Sequence, residues 1–150
     1  MAGQIFHIPG PVAVITTKYK NKVNGMTAAW VAQASFNPPL IMVSIAPERY
    51  THELIQNSKI LAVNVLSAMQ IKIAKHFGFT SGKNIDKFES VIYEIKKTGA
   101  PIIKDIYAYF DCHILSAVRA GDHTIFIAEV QESRVDNTKT PLIFNTRDFF

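Results

Sequence analysis

Residues 107–119 read YAYFDCHILSAVR, residues 120–122 read AGD, and residues 123–135 read HTIFIAEVQESRV. This stretch decides the fold. In the first arm Phe110, Cys112 and Ile114 alternate with Asp111 and His113, the period of a strand that buries one face. The second arm is less regular but also rich in apolar residues, and Ala120-Gly121-Asp122 supplies a turn between the two. The pair predicts one long β-hairpin.

Outward from that hairpin the same grammar repeats. Residues 12–19 read as a strand, Lys20-Asn21-Lys22 as a turn, and 23–34 as the hairpin partner. The runs 40–45 and 60–66 are continuously apolar and of strand length, which predicts burial on both faces. Residues 142–144 offer a last strand. Helical signals are few. Residues 51–57 carry Leu54 and Ile55 on one side behind Thr51 as N-cap, and 67–77 place Ile71, Ala74 and Phe77 at helical spacing between a Ser67 cap and a Gly78 stop. Residues 84–90 form a short amphipathic turn. The expected architecture is mainly β, a barrel with a few short helices, in a single domain over 1–150.

Composition narrows the classes. A chain of 150 residues needs no covalent staple to fold around one core, and an apolar fraction of 48% leaves surface for a partner, so a homodimer is expected. The net charge of +4 is scattered without blocks, which suits a small anionic ligand better than nucleic acid. Oligonucleotide binding would need aromatics interleaved with Lys and Arg on exposed strands, and here the aromatics lie mostly in apolar runs. The lone Cys112 excludes an internal disulfide and a thiolate metal site, and its neighbour His113 points to the opposite face of a strand. No apolar stretch of spanning length and no signal-peptide pattern stand out, so a soluble cytoplasmic protein is expected. There is no dinucleotide fingerprint, P-loop or nucleophile elbow, and His52-Glu53 lacks a second zinc-ligating histidine because position 56 is Gln.

Two segments carry candidate chemistry. Asn24-Gly25-Met26-Thr27-Ala28-Ala29-Trp30 combines an indole with closely approachable backbone, a surface for a planar ligand. Alone, Trp30 reads more readily as a core aromatic on a buried strand. Arg49-Tyr50-Thr51 at a helix start gathers a guanidinium, hydroxyls and free N–H groups where an anion would bind. Alone, it reads as a surface arginine beside a cap.

The ordered series changes that balance. Asn-x-Met-Thr-Ala-x-Trp, Ser-Phe-x-Pro-Pro-Leu, Ala-Pro-x-Arg-Tyr-Thr-x-Glu-Leu, Val-Asn-Val-Leu, Ser-Gly-x-x-x-Asp-Lys-Phe-Glu, Gly-Asp-His-Thr-x-Phe-x-x-Glu-Val and a terminal aromatic pair follow one another from Pro11 to the C-terminus. This series resembles the flavin reductase-like family. The resemblance implies the FMN-binding split barrel, with FMN as cofactor and NADH or NADPH as a transient co-substrate. It also implies that Asn24 bonds the flavin or its ribityl chain, that Thr27, Ala28 and Ala29 line the ring through backbone, and that Trp30 bounds the pocket. Thr51, with Arg49 and Tyr50, would hold the phosphate, and Lys87 beside Phe88 would add a second cation. Ser44 and Ser81 would contribute hydroxyls, His123 would lie near the ring, and Phe149 or Phe150 would close one side. His123 is the candidate for assisting chemistry, although hydride transfer to flavin N5 asks the protein for ring alignment more than for a base.

The chain departs from the family pattern at Ala29, where many members carry Ser, at Asn37, and at Lys83-Asn84, where Arg-Asp is common. Two activities stay open. One is an NAD(P)H-dependent flavin or ferric reductase feeding free flavin, an oxygenase component or a ferric chelate. The other is a flavoredoxin-like carrier that keeps FMN bound and exchanges electrons with a protein partner.

Overall fold

The computed structural model of the chain describes residues 8–145 and 147. The elements are β1 (Ala13–Tyr19), β2 (Lys22–Ala28), β3 (Val31–Ser35), β4 (Leu40–Ile45), α1 (Tyr50–Ser58), β5 (Ile60–Val65), α2 (Ile71–Gly78), β6 (Tyr93–Ile95), β7 (Pro101–Ile103), β8 (Ala108–Ala120) and β9 (His123–Val135). Seven strands form one antiparallel sheet in the order β2-β1-β5-β8-β9-β4-β3, and β6 pairs with β7 separately. The long hairpin is β8 with β9, in register from Ala108 opposite Val135 to Ala120 opposite His123, and Gly121 takes the left-handed φ of 61° that its turn requires.

The span 23–34, expected as one strand, is two. β2 and β3 are separated only by Ala29 and Trp30, yet they lie at opposite edges of the sheet. Three peptide steps reach roughly 10 Å at most, whereas a flat sheet of seven strands would hold its edges about 29 Å apart at the usual spacing. The sheet must therefore roll until its edges nearly meet. They do not pair, so the roll stays open along a seam bridged by Ala29-Trp30. This is a split barrel.

Rolling divides the interior in two where one core was expected. Ala13, Ile15, Leu61, Val63, Ile41, Val43, Ile45, Phe126 and Ala128 fill the inside of the roll with Ile55 of α1. On the outer face Val12, Val14, Ala62 and Leu66 pack under Ala74 and Phe77 of α2, Phe88 and the segment around β7. β5 is buried on both faces, as its apolar run predicts. β4 is not: Ile41, Val43 and Ile45 are buried, while Met42 is exposed and Leu40 and Ser44 are half-buried, because none of the described residues covers the outer face there.

The helix ends also differ from expectation. Arg49, with extended backbone and no capping side-chain bond, precedes α1, and Thr51 lies inside the first turn. Gln70 holds the equivalent place before α2; its Oε1 accepts from the Ser67 amide, and Phe79 rather than Gly78 follows the last turn. Residues 84–90 are turns, and 142–144 make only an isolated bridge from Ile143 to Pro11. The β6–β7 hairpin carries no alternating pattern long enough to announce it. It is tied down by the buried Asp111 carboxylate, which accepts from the Lys97 and Thr98 amides at 2.9 Å each and from Thr98 Oγ1.

Candidate functional site

Two adjoining cavities open beside the seam and share Met26 and Arg49. The first, of about 450 Å³, is predominantly apolar and is walled by residues 26–30, Ser44, Ala46, His123 and Phe144. The second, of about 250 Å³, is polar and is lined by Asn24, Arg49, Thr51, Ser81, Gly82 and Lys87 among others. Both exist because β2 ends at the seam and α1 begins opposite it.

At the apolar end Trp30 is 45% exposed, which removes the reading of a core aromatic. Its ring lies 4.7 Å from that of His123 at an interplanar angle of 42°. His123 in turn bonds Asp122 Oδ1 through Nδ1 at 2.8 Å, and this bond holds the Asp122 carboxyl below its ordinary range. Thr27 lines the cavity, and its Oγ1 donates to the Ala74 carbonyl at 2.5 Å, so its hydroxyl is tied to α2. The Ser44 amide donates to the Trp30 carbonyl at 3.0 Å, which fastens the seam residue to β4.

The polar end is built from residues distant in sequence. Asn24 is 2% exposed, and its Nδ2 donates to Thr51 Oγ1 at 3.0 Å, joining β2 to the first turn of α1. Gly82 presses against that carboxamide so closely that a Cβ would collide with it. Lys87 is only 3% exposed; its Nζ donates to the carbonyls of Gly25 at 2.9 Å and Phe77 at 3.1 Å. Burial, with Arg49 nearby, lowers its pKa to about 8. Tyr50 sits at the rim, its ring 5.7 Å from the Nζ of both Lys22 and Lys83.

The structure thus gathers Asn24, Arg49, Tyr50, Thr51, Ser81 and Lys87 at one end and Thr27, Ala28, Ala29, Trp30, Ser44 and His123 at the other. Phe88 joins neither. It is buried in the outer core, 5.0 Å from the Phe77 ring and 5.1 Å from Tyr93, because the apolar side of its turn faces inward. Phe149 and Phe150 lie outside the described residues. Cys112 is buried with its thiol pushed up to about 12, and His113 faces solvent on the other side of β8.

Sequence reasoning passed over Met26, Ala46 and Phe144 as lining residues. Gly82 stood in a quoted motif, but its contact with Asn24 is visible only in three dimensions. His52 was missed altogether as a support. It is buried against Phe126, and its Nε2 bonds Thr124 Oγ1 at 2.8 Å, next to His123. Burial is the main influence holding its imidazole below the usual range. Among the described residues no group of acidic, His and Cys side chains could hold a metal, and no helix is long and apolar enough to cross a membrane.

An antiparallel sheet rolled but unclosed, with an apolar cavity and a cationic one side by side at its seam, defines the split-barrel class. Residues 5–150 match the flavin reductase like domain, and the chain belongs to that family. It is 34% identical to a flavin reductase from Pseudomonas putida over 137 residues, covering 90% of this chain and 78% of that one. The solved NADH:FAD oxidoreductase SgcE6 of Streptomyces globisporus superposes with a TM-score of 0.87 at 30% identity, covering 92% of this chain and 82% of that one. A high molecular weight rubredoxin from Moorella thermoacetica is 36% identical over 81% of this chain and 54% of its own length. The chain spans little more than half, or less, of several curated relatives, 46% and 23% in two others.

Proposed function

We propose that this chain binds FMN across the two cavities and acts as an NAD(P)H-dependent flavin reductase. The observation that carries the reading is the pair of adjoining cavities joined at Met26 and Arg49, one apolar beside an indole, the other with two cations and four hydroxyl side chains. A phosphorylated flavin has the same two-part chemistry. Arg49, Thr51 and Lys87 would hold the phosphate, Asn24 the ribityl chain, and the backbone of Thr27, Ala28 and Ala29 with Trp30 and Ser44 the ring. The small volume of the polar end favours a terminal monophosphate, and hence FMN over FAD.

When bound, the flavin supplies an N5 that accepts a hydride from NADH or NADPH. The chain's own residues position and shield. Trp30 and His123 form an aromatic wall, and Asp122 fixes the tautomer of His123 by accepting from Nδ1. Arg49 and Lys87 supply fixed positive charge at the far end, and the split leaves one side open to a visiting nicotinamide.

A homodimer completes the reading. Met42 of β4 faces Ile127 of β9, and Ile125 faces Val118 of β8, an apolar band on the outer sheet face next to Ser44 and the seam. A second reading, an FMN electron carrier serving a protein partner, is favoured by the likeness to the Moorella rubredoxin.

A yellow purified protein that releases FMN fluorescence on heating supports both readings, and a colourless protein unable to take up FMN overturns both. Anaerobic titration separates them: bleaching by NADH or NADPH within turnover time marks a reductase. Bleaching only by a reduced redox protein marks the carrier.

A further inference from the structure

We infer that Lys87 couples flavin binding to a proton: above mildly alkaline pH the phosphate end takes up its anion together with one proton. The affinity for phosphorylated flavin therefore falls as pH rises, while that for the unphosphorylated ring does not. This rests on the flavin reading above and names how that site is regulated.

The geometry is that of a cation without a counterion. Lys87 Nζ has three donors, of which two go to backbone carbonyls, Gly25 on β2 and Phe77 in the last turn of α2. No ion pair involves Lys87 among the described residues. From the start of α1 and the residues just before it come the Arg49 guanidinium, a like charge, and Tyr50 and Glu48 on the wall of the same cavity. From β2 come only the uncharged Asn24 and Met26. From α2 the His76 ring bonds the Lys87 carbonyl at 2.8 Å, away from Nζ. On its own turn Asp86 spends Oδ1 on the Phe88 amide at 2.9 Å, and Lys83 and Glu89 are exposed.

Burial disfavours a charged amine that has no opposite charge, and a neighbouring guanidinium disfavours it further. The Lys87 pKa accordingly falls to about 8. A phosphate dianion placed between Arg49 and Lys87 supplies the missing charge and raises that pKa toward the ordinary lysine value of about 10.4. Between the two values the empty site is neutral at Lys87 and the filled site is protonated, so binding takes up a proton. By linkage the dissociation constant then rises by up to about tenfold per pH unit. The phosphate monoester, with a second pKa of about 6, stays a dianion throughout. Titration of the flavin ring itself is common to FMN and riboflavin and cancels in their comparison.

The test is an equilibrium titration of the whole chain with FMN and with riboflavin from about pH 7 to about pH 9.5. The expected result is a flat FMN constant below about pH 8, a rise approaching tenfold per unit above it, and a riboflavin constant that does not move. Lys87→Arg should keep FMN bound and abolish the rise, because a guanidinium does not lose its proton in this range. An FMN constant unchanged across the range in folded wild-type protein overturns the proposal, and so does a parallel rise of the FMN and riboflavin constants. Failure to bind either flavin at neutral pH brings down the flavin reading itself.

Discussion

Arg49 stands where the two halves of the site meet. It precedes α1 without capping it, so its side chain is free for a ligand role, and it lines both cavities at the seam. If its guanidinium makes a charge-assisted bond to the flavin phosphate, Arg49→Ala costs about 1.5–3 kcal/mol of FMN binding, roughly ten- to 150-fold. Riboflavin titrated against the same variant should show no change, since it lacks the group Arg49 addresses. Arg49 and Trp30 were legible in the sequence because each stood in an ordered motif series. The environment of Lys87 was not. Its ammonium is held by the carbonyls of Gly25, 62 residues away along the chain, and Phe77, and a lysine between Asp86 and Phe88 on a short turn shows no local sign of enclosure. His52 was overlooked for a similar reason, since its bond to Thr124 joins α1 to the start of β9.

The strands and the long hairpin were legible because alternation and turn chemistry are local. The break at Ala29-Trp30 was not, because the apolar pattern continues through it, and only the strand order reveals that β2 and β3 belong to opposite edges. Helix starts were misplaced at Thr51 and Ser67, where side chains suited to capping are used for other bonds or none. The turn that carries Ser81 and Gly82 is held by shape. A methyl group at Gly82 meets the Asn24 carboxamide, which is pinned by Thr51. Gly82→Ala, at a buried position, should therefore displace Asn24 or the turn and weaken FMN binding by about tenfold, while the circular dichroism spectrum stays near wild type and the thermal midpoint falls by only a few degrees. Equal losses of stability and of binding would show instead that Gly82 serves the fold.

Rolling the sheet decides where function can sit. It encloses one core, lays a second beneath α2, and leaves the outer face of β4, β9 and the distal part of β8 uncovered by any described residue. Such a band next to an open seam is what a second copy would cover. Met42→Lys, which puts a charge at its centre, should shift the sedimentation mass from two chains to one without unfolding the barrel. A wild-type chain that sediments as a monomer would remove the dimer from the account. A single phosphorylated flavin at the seam would have a built-in reporter, because Trp30 is the only tryptophan of the chain. The decisive measurement is tryptophan emission during titration with FMN. Quenching should saturate at one FMN per chain, and unquenched Trp30 emission at saturating FMN would exclude a flavin from the seam.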